Sequence, residues 1–114
     1  MTLDYYSIPA EDFHKYSNIK FQFVHTHADL CKLFARDLVD LMKANLRNNQ
    51  MTKIITPIGP LDFHWFAELC NRENVSCKSL VIFSMDEYCT ENGKTFPIDH
   101  PLSFRGFFLL WYGI

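Results

Sequence analysis

Two adjacent acidic residues, Asp86 and Glu87, come shortly after an apolar run at residues 79–83. The run has the length and composition of a buried β-strand. Open α/β sheets bind their ligands outside the carboxyl ends of the strands, which is where these two acids would lie. Partial burial there raises the pKa of a carboxyl group towards the working range of a general base. The pattern indicates a proton-transfer site, although acids in a solvated loop or at a helix cap would give the same sequence.

A second polar segment, residues 99–105, contains further candidate residues. Asp99 followed by Pro101 predicts the start of a helix, because proline suits the first helical turn and an acid favours its N-terminus. His100 and Arg105 could bind an anion, since both side chains can pair with phosphate oxygens. His100 also fits a structural role, in which it shapes the loop before the helix.

The elements that must position these residues form a strand–helix–strand unit. Residues 52–58 are rich in β-branched side chains and end in a Pro-Ile-Gly-Pro turn that contains Gly59. Residues 61–74 have the apolar spacing of an amphipathic helix. The next strand is the apolar run before Asp86. A strand–helix–strand unit of about thirty residues has a right-handed crossover. If the two strands are neighbours, we expect the Gly59 turn and the two acids to face one crevice.

The strongest helical pattern lies before this unit. Apolar side chains recur at steps of three and four over residues 30–46, which predicts an amphipathic helix. Thr26 with Asp29 resembles a capping box at its start, and the polar cluster at residues 47–50 ends it. Residues 19–23 alternate apolar and polar side chains, which predicts a half-buried edge strand.

The motifs Phe-Ser-Met-Asp-Glu-Tyr at residues 83–88 and Asp-His-Pro-Leu-Ser-Phe at residues 99–104 resemble the glucosamine-6-phosphate deaminase/isomerase family, which is related to the 6-phosphogluconolactonases. The resemblance extends over about residues 54–108. It implies an α/β fold, a Rossmann-like three-layer αβα arrangement with a mainly parallel sheet. It implies conversion of glucosamine 6-phosphate to fructose 6-phosphate and ammonia, without a metal or organic cofactor. Asp86 would be the base that moves a proton from C2 to C1 through an enol-type intermediate, with Glu87 in support.

In that family, the loop after the first strand holds the sugar phosphate with backbone N–H groups and hydroxyls at a helix N-terminus. Gly59 matches this pattern, but Pro60, Leu61 and Asp62 stand where hydroxyl-bearing residues are expected. Proline lacks an N–H donor, and an aspartate repels a phosphate. Three alternatives therefore stay open: a non-catalytic sugar-phosphate-binding module, an inactive fragment, and a 6-phosphogluconolactonase-like hydrolase.

Length and composition indicate one domain over residues 1–114, with 48% hydrophobic residues. The net charge of −2 predicts no nucleic-acid partner. The chain has no apolar run of about 18 residues that would span a membrane, and its first residues do not resemble a signal peptide. The four cysteines form no C-x-x-C pair, and the His25–His27 pair has no second pair of ligands near it. The sequence therefore predicts reduced thiols, no metal site and a cytoplasmic protein.

The last eight residues, 107–114, are almost wholly apolar and lack the pattern of a surface helix. Natural carboxyl termini are usually polar, so the sequence predicts a truncated chain or an altered reading frame. Burial of this segment against a partner, including a second copy in a homo-oligomer, is the alternative. The resemblance also implies truncation, because the histidine that opens the sugar ring in the family belongs to a later motif that this chain lacks.

Overall fold

The computed structural model describes residues 4–111, which form an α/β domain around a two-stranded parallel sheet. Three short 3-10 helical segments accompany the longer elements, at Tyr5–Ser7, Ala10–Lys15 and Cys77–Ser79. In chain order, the longer elements are helix α1 (His27–Arg47), strand β1 (Thr52–Thr56), helix α2 (His64–Glu73), strand β2 (Leu80–Ser84) and helix α3 (Phe104–Trp111).

The β1–α2–β2 unit confirms the predicted strand–helix–strand arrangement. The two strands are hydrogen-bonded neighbours in parallel, with Thr52 opposite Leu80 and Thr56 opposite Ser84. Helix α2 is shorter than the predicted residues 61–74, because Leu61 and Asp62 lie in the turn that precedes it. The strands end side by side, so the loops that follow them leave the same edge of the sheet.

Helix α1 confirms the predicted amphipathic helix and its cap. The Thr26 hydroxyl accepts the backbone N–H of Asp29 at 3.1 Å and donates to the Asp29 carboxylate at 2.7 Å. This reciprocal pairing satisfies an orphan donor of the first turn. The buried side chains recur at helical spacing along one face of the helix: Cys31, Ala35, Leu38, Val39 and Met42.

Phe63 lies at the centre of the core and is fully buried. Its ring makes edge contacts with the rings of Phe34, Phe66 and Phe108, at centroid distances of 5.4, 6.5 and 4.9 Å. These residues come from α1, α2 and α3, so one aromatic cluster joins the three helices. Ile54 and Ile82 pack against the same core from the sheet. The helices therefore cover one face of the sheet.

The other face of the sheet is open in the described part of the chain. Ile55 and Phe83 are paired in the register and remain 70% and 54% exposed. Parallel sheets are usually covered on both faces. Residues 4–111 thus establish a mixed α/β domain with a parallel sheet, whereas the three-layer Rossmann-like arrangement stays a prediction.

The predicted edge strand at residues 19–23 is wrong. These residues are coil, and their apolar side chains stay largely exposed. Phe21 and Phe23 instead stack on each other at 6.3 Å and meet the edge of Phe13 at 6.0 and 6.1 Å. The alternation reflects this small aromatic cluster, which is built without strand pairing.

The apolar segment that begins at residue 107 is helical as far as Trp111, although its sequence lacks the polar and apolar pattern of a surface helix. Helix α3 begins at Phe104 and not at Pro101, because the preceding residues form a turn in which the Ser103 N–H donates to the His100 carbonyl at 2.9 Å. Phe108 is buried in the core. Residues 112–114 lie outside the described chain. None of the helices in residues 4–111 is long and apolar enough to cross a membrane.

Candidate functional site

The carboxyl edge of the sheet brings the two predicted loops together. Thr56 and Ser84 end their strands opposite each other. One residue further on, the Met85 N–H donates to the Thr56 carbonyl at 3.0 Å. The backbone that leads to the Gly59 turn is therefore bonded to the backbone that leads to Asp86. This edge is where the sequence predicts a crevice.

Asp86 lies at this edge with an exposed side chain. Within residues 4–111, its carboxylate has no hydrogen-bonding or ionic partner. A general base must be free to reach the proton that it removes. The position of Asp86 meets that requirement, and its catalytic role stays a prediction.

Glu87 has a different environment, because its carboxylate binds the start of helix α3. Its oxygens accept the backbone N–H groups of Phe104 at 2.8 Å, Arg105 at 3.0 Å and Tyr88 at 3.0 Å. Burial of this carboxylate opposes its ionisation, but the N–H donors outweigh that effect and lower the pKa of Glu87. Glu87 therefore stays ionised and positions α3 at the site, which leaves it poorly suited to accept a proton.

His100 and Arg105 take separate positions in the second motif. The His100 ring stacks on Phe96, with centroids 4.1 Å apart and planes at 10°, and its Nδ1 accepts the Leu102 N–H at 3.1 Å. These contacts support the structural role that the sequence also allowed. Arg105 has an exposed side chain in the first turn of α3, beside Glu87. Of these two residues, Arg105 is the better placed to bind an anion, because it is exposed and permanently charged.

In the predicted phosphate-binding loop, the side chain of Asp62 already binds a backbone N–H group at the start of α2. Gly59 is exposed, with open space where a side chain would project. However, the Asp62 carboxylate accepts the His64 N–H at 2.9 Å at the start of α2. In helix-terminus phosphate sites, such N–H groups bind the anion. Because the His64 N–H is already bonded and the Asp62 carboxylate is negative, this helix terminus is less favourable to a phosphate than one with free N–H groups.

The sequence did not indicate a contribution of α1 to this edge. His27, in the first turn of α1, donates from Nε2 to the carbonyl of Pro60. The buried Cys31 Sγ lies 3.6 Å from the same nitrogen and accepts the Asp62 N–H at 3.3 Å. These contacts join α1 to the β1–α2 loop. The spacing of His27 and Cys31, one helical turn apart after a cap, was the available signal.

A separate groove of about 270 Å³ lies between α1 and α2, and none of the predicted site residues lines it. Lys32 Nζ lies 4.5 Å from the centre of the Trp65 ring, a cation–π contact at this groove. Arg36, in its wall, pairs with Glu73 at 3.0 Å, and Lys43 pairs with the same carboxylate. Hydrogen bonds from Arg36 and Lys43 lower the pKa of Glu73 to about 2. This ion-pair cluster joins the two helices.

Within residues 4–111, no cluster of three or more His, Cys, Asp or Glu side chains could hold a metal ion. Comparison of the chain with protein-family models, with curated proteins and with solved structures finds no match. The case for a function therefore depends on the residues at the carboxyl edge.

Proposed function

We propose that this chain is a sugar-phosphate isomerase/deaminase-like protein that acts on glucosamine 6-phosphate. The observation that carries the proposal is the contact between Glu87 and the N–H groups of Phe104 and Arg105. It joins the two segments that resemble the family, although residues 89–98 separate them along the chain. That contact supports one composite site.

In this proposal, Asp86 removes the proton from C2 of the open-chain amino sugar and returns it to C1. An exposed carboxylate without a partner in the described chain supports this role. Glu87 supports it indirectly by holding α3 and the adjacent loop in place. Arg105 binds the phosphate as a charge-assisted donor, and the Gly59 turn lets the substrate approach the backbone closely.

The same proposal extends to the architecture. A second helical layer over Ile55 and Phe83 would complete the three-layer αβα sheet. The free thiols favour a cytoplasmic protein, and the open apolar face would suit a homo-oligomer. The proposed reaction moves a proton from C2 to C1, and water then hydrolyses the resulting C2 imine and releases ammonia. It needs no metal or organic cofactor.

A sugar-phosphate-binding module without turnover is the second candidate. The bond from the His64 N–H to Asp62 favours it, because this bond removes a donor and adds a negative charge where the phosphate is expected. A 6-phosphogluconolactonase-like hydrolase would use the same edge but would release an acid in place of ammonia.

The test combines thermal unfolding with an assay for ammonia, both with glucosamine 6-phosphate. A ligand at one hundred times its dissociation constant stabilises a fold by ~2.7 kcal/mol. We expect an upward shift in the melting midpoint that Arg105→Ala reduces, and ammonia release that Asp86→Asn abolishes. Glu91→Gln, which removes another exposed acid from the same loop, serves as the matched control.

A shift without ammonia release would support the binding module. A cooperative melt that the sugar phosphate leaves unchanged would contradict both candidates. Acid release from 6-phosphogluconolactone, measured in the same buffer, would support the hydrolase.

A further inference from the structure

Two of the four cysteines lie together where α2 connects to β2. Cys70, near the end of α2, is 5% exposed, and Cys77 begins the 3-10 segment that precedes β2. Their sulfur atoms are 4.0 Å apart, with the Cys77 thiol directed at the Cys70 sulfur. A disulfide bond requires a separation of about 2.05 Å, so the two sulfur atoms must approach each other by about 2 Å before they can bond.

The backbone between the two cysteines holds them in this arrangement. Asn74 ends α2 in the left-handed conformation, with a φ of 53°. This turn lets the Val75 N–H donate to the Cys70 carbonyl at 2.9 Å. The chain therefore reverses within a few residues and returns Cys77 to the end of the helix. The approach of the two thiols follows from this local turn.

The two thiols differ in reactivity. Burial, together with the neighbouring Cys77, raises the pKa of Cys70 to about 12, which makes it a poor nucleophile. Cys77 is half-buried and lines a cleft of about 180 Å³ beside Phe108 and Ile82. Cys77 is thus the more exposed of the two thiols. Cys77 is therefore placed to react first. Cys70 is suited to resolve the product by its proximity to Cys77, and not by its acidity.

We propose that Cys70 and Cys77 form a reversible disulfide by exchange with a small-molecule disulfide of the glutathione type. The Cys77 thiolate attacks one sulfur of the oxidant, whose S–S bond breaks and releases one thiol with the proton that Cys77 gave up. Cys70 then gives up its proton and attacks the Cys77 sulfur, which releases the second thiol. Two protein thiols are oxidised, and one disulfide is reduced to two thiols.

The new bond would fix the end of α2 to the start of β2. It closes a short ring over residues 70–77 and restricts the unfolded chain more than the folded one. We expect the melting midpoint to rise by roughly 5–10 °C on oxidation. The site thus links the redox state of its surroundings to the stability of the strand–helix–strand unit.

The experiment uses the full chain with Cys89→Ser, because Cys89 is exposed and would take up glutathione by itself. The folded protein is equilibrated in mixtures of oxidised and reduced glutathione. Intact mass, mapping of unreduced peptides and thermal unfolding are then measured. The expected result is the loss of two hydrogen atoms, a linked peptide that contains Cys70 and Cys77, and a higher melting midpoint, all reversed by reduced glutathione.

Two variants in the same background test the assignment of roles. Cys77→Ser should show neither the mass loss nor the shift. Cys70→Ala should retain a glutathione adduct on Cys77. If Cys70→Ala does not fold, the parent chain and Cys77→Ser still show whether the disulfide forms. An adduct on Cys77 that persists in the parent chain, two free thiols after equilibration, or a linkage to Cys31 would each overturn the proposal.

Discussion

The two faces of the β1–β2 sheet are built from similar residues but have different environments. Ile54 and Ile82 pack on the aromatic core formed by the helices, whereas their neighbours Ile55 and Phe83 remain exposed. Adjacent residues of a strand point to opposite faces, so this contrast follows from a single step along the chain. The comparison indicates that the covered face provides the stability that holds the carboxyl edge in place.

The largest expected effect comes from a pair of phenylalanines, one from each side of this comparison. Phe63→Ala should cost about 3–5 kcal/mol, because it leaves a cavity in the core. Phe83→Ala should lower the free energy of unfolding by about 1 kcal/mol or less, because Phe83 is already 54% exposed in the folded protein. Urea unfolding of both variants measures the difference. If the two variants lose equal free energies of unfolding, especially at high protein concentration, a partner or a second copy covers the open face in solution.

A smaller effect is expected where α3 meets the loop before it. A Cβ at Gly106 would overlap the Ile98 carbonyl oxygen, which is part of the backbone and cannot move aside alone. Gly106→Ala should therefore cost about 1–3 kcal/mol, in spite of the better helix propensity of alanine. Leu110→Ala, at an exposed position of the same helix, is the control. A stabilised Gly106→Ala variant would show that α3 packs less closely than described.

The smallest effect concerns the adjacent acids. Glu87→Gln should cost about 0.5–2 kcal/mol, because its charge caps α3, whereas Asp86→Asn should leave stability unchanged. Folding lowers the pKa of Glu87 below its ordinary value of 4.5. The ionised carboxylate therefore contributes fully to stability at pH values above 4.5, and this contribution is lost as the pH falls through the pKa of the folded state. Unfolding curves at several pH values should show the difference between Glu87→Gln and the parent chain vanish in acid. A difference independent of pH would contradict an ionic cap.

The elements that could be predicted from sequence are those whose cause is local. The spacing of apolar residues in α1, the cap at Thr26 and the β-branched run of β1 all act within a few residues of one another. Neighbouring parallel strands then place the Gly59 turn beside Asp86, so the location of the candidate site also followed from the sequence.

The rest depended on contacts between distant residues. Residues 19–23 alternate correctly for a strand, but a strand also needs a partner edge, which the pattern does not supply. Helix α3 depends on Glu87, seventeen residues before Phe104, for its cap and on Phe63 for the burial of Phe108. Neither the cap on α3 nor the occupation of the α2 terminus by Asp62 could be deduced from spacing alone.

The pairing of β1 with β2 also has a consequence for hydrogen exchange. In a parallel pair, alternate residues of each strand direct their N–H groups to the partner, and the others point away from it. With one partner per strand in residues 4–111, every second amide of β1 and β2 faces outward. We expect these outward amides to exchange rapidly with deuterium while their neighbours in the same five-residue strand stay protected. Protection of the outward amides as well would show that a further strand pairs with that edge.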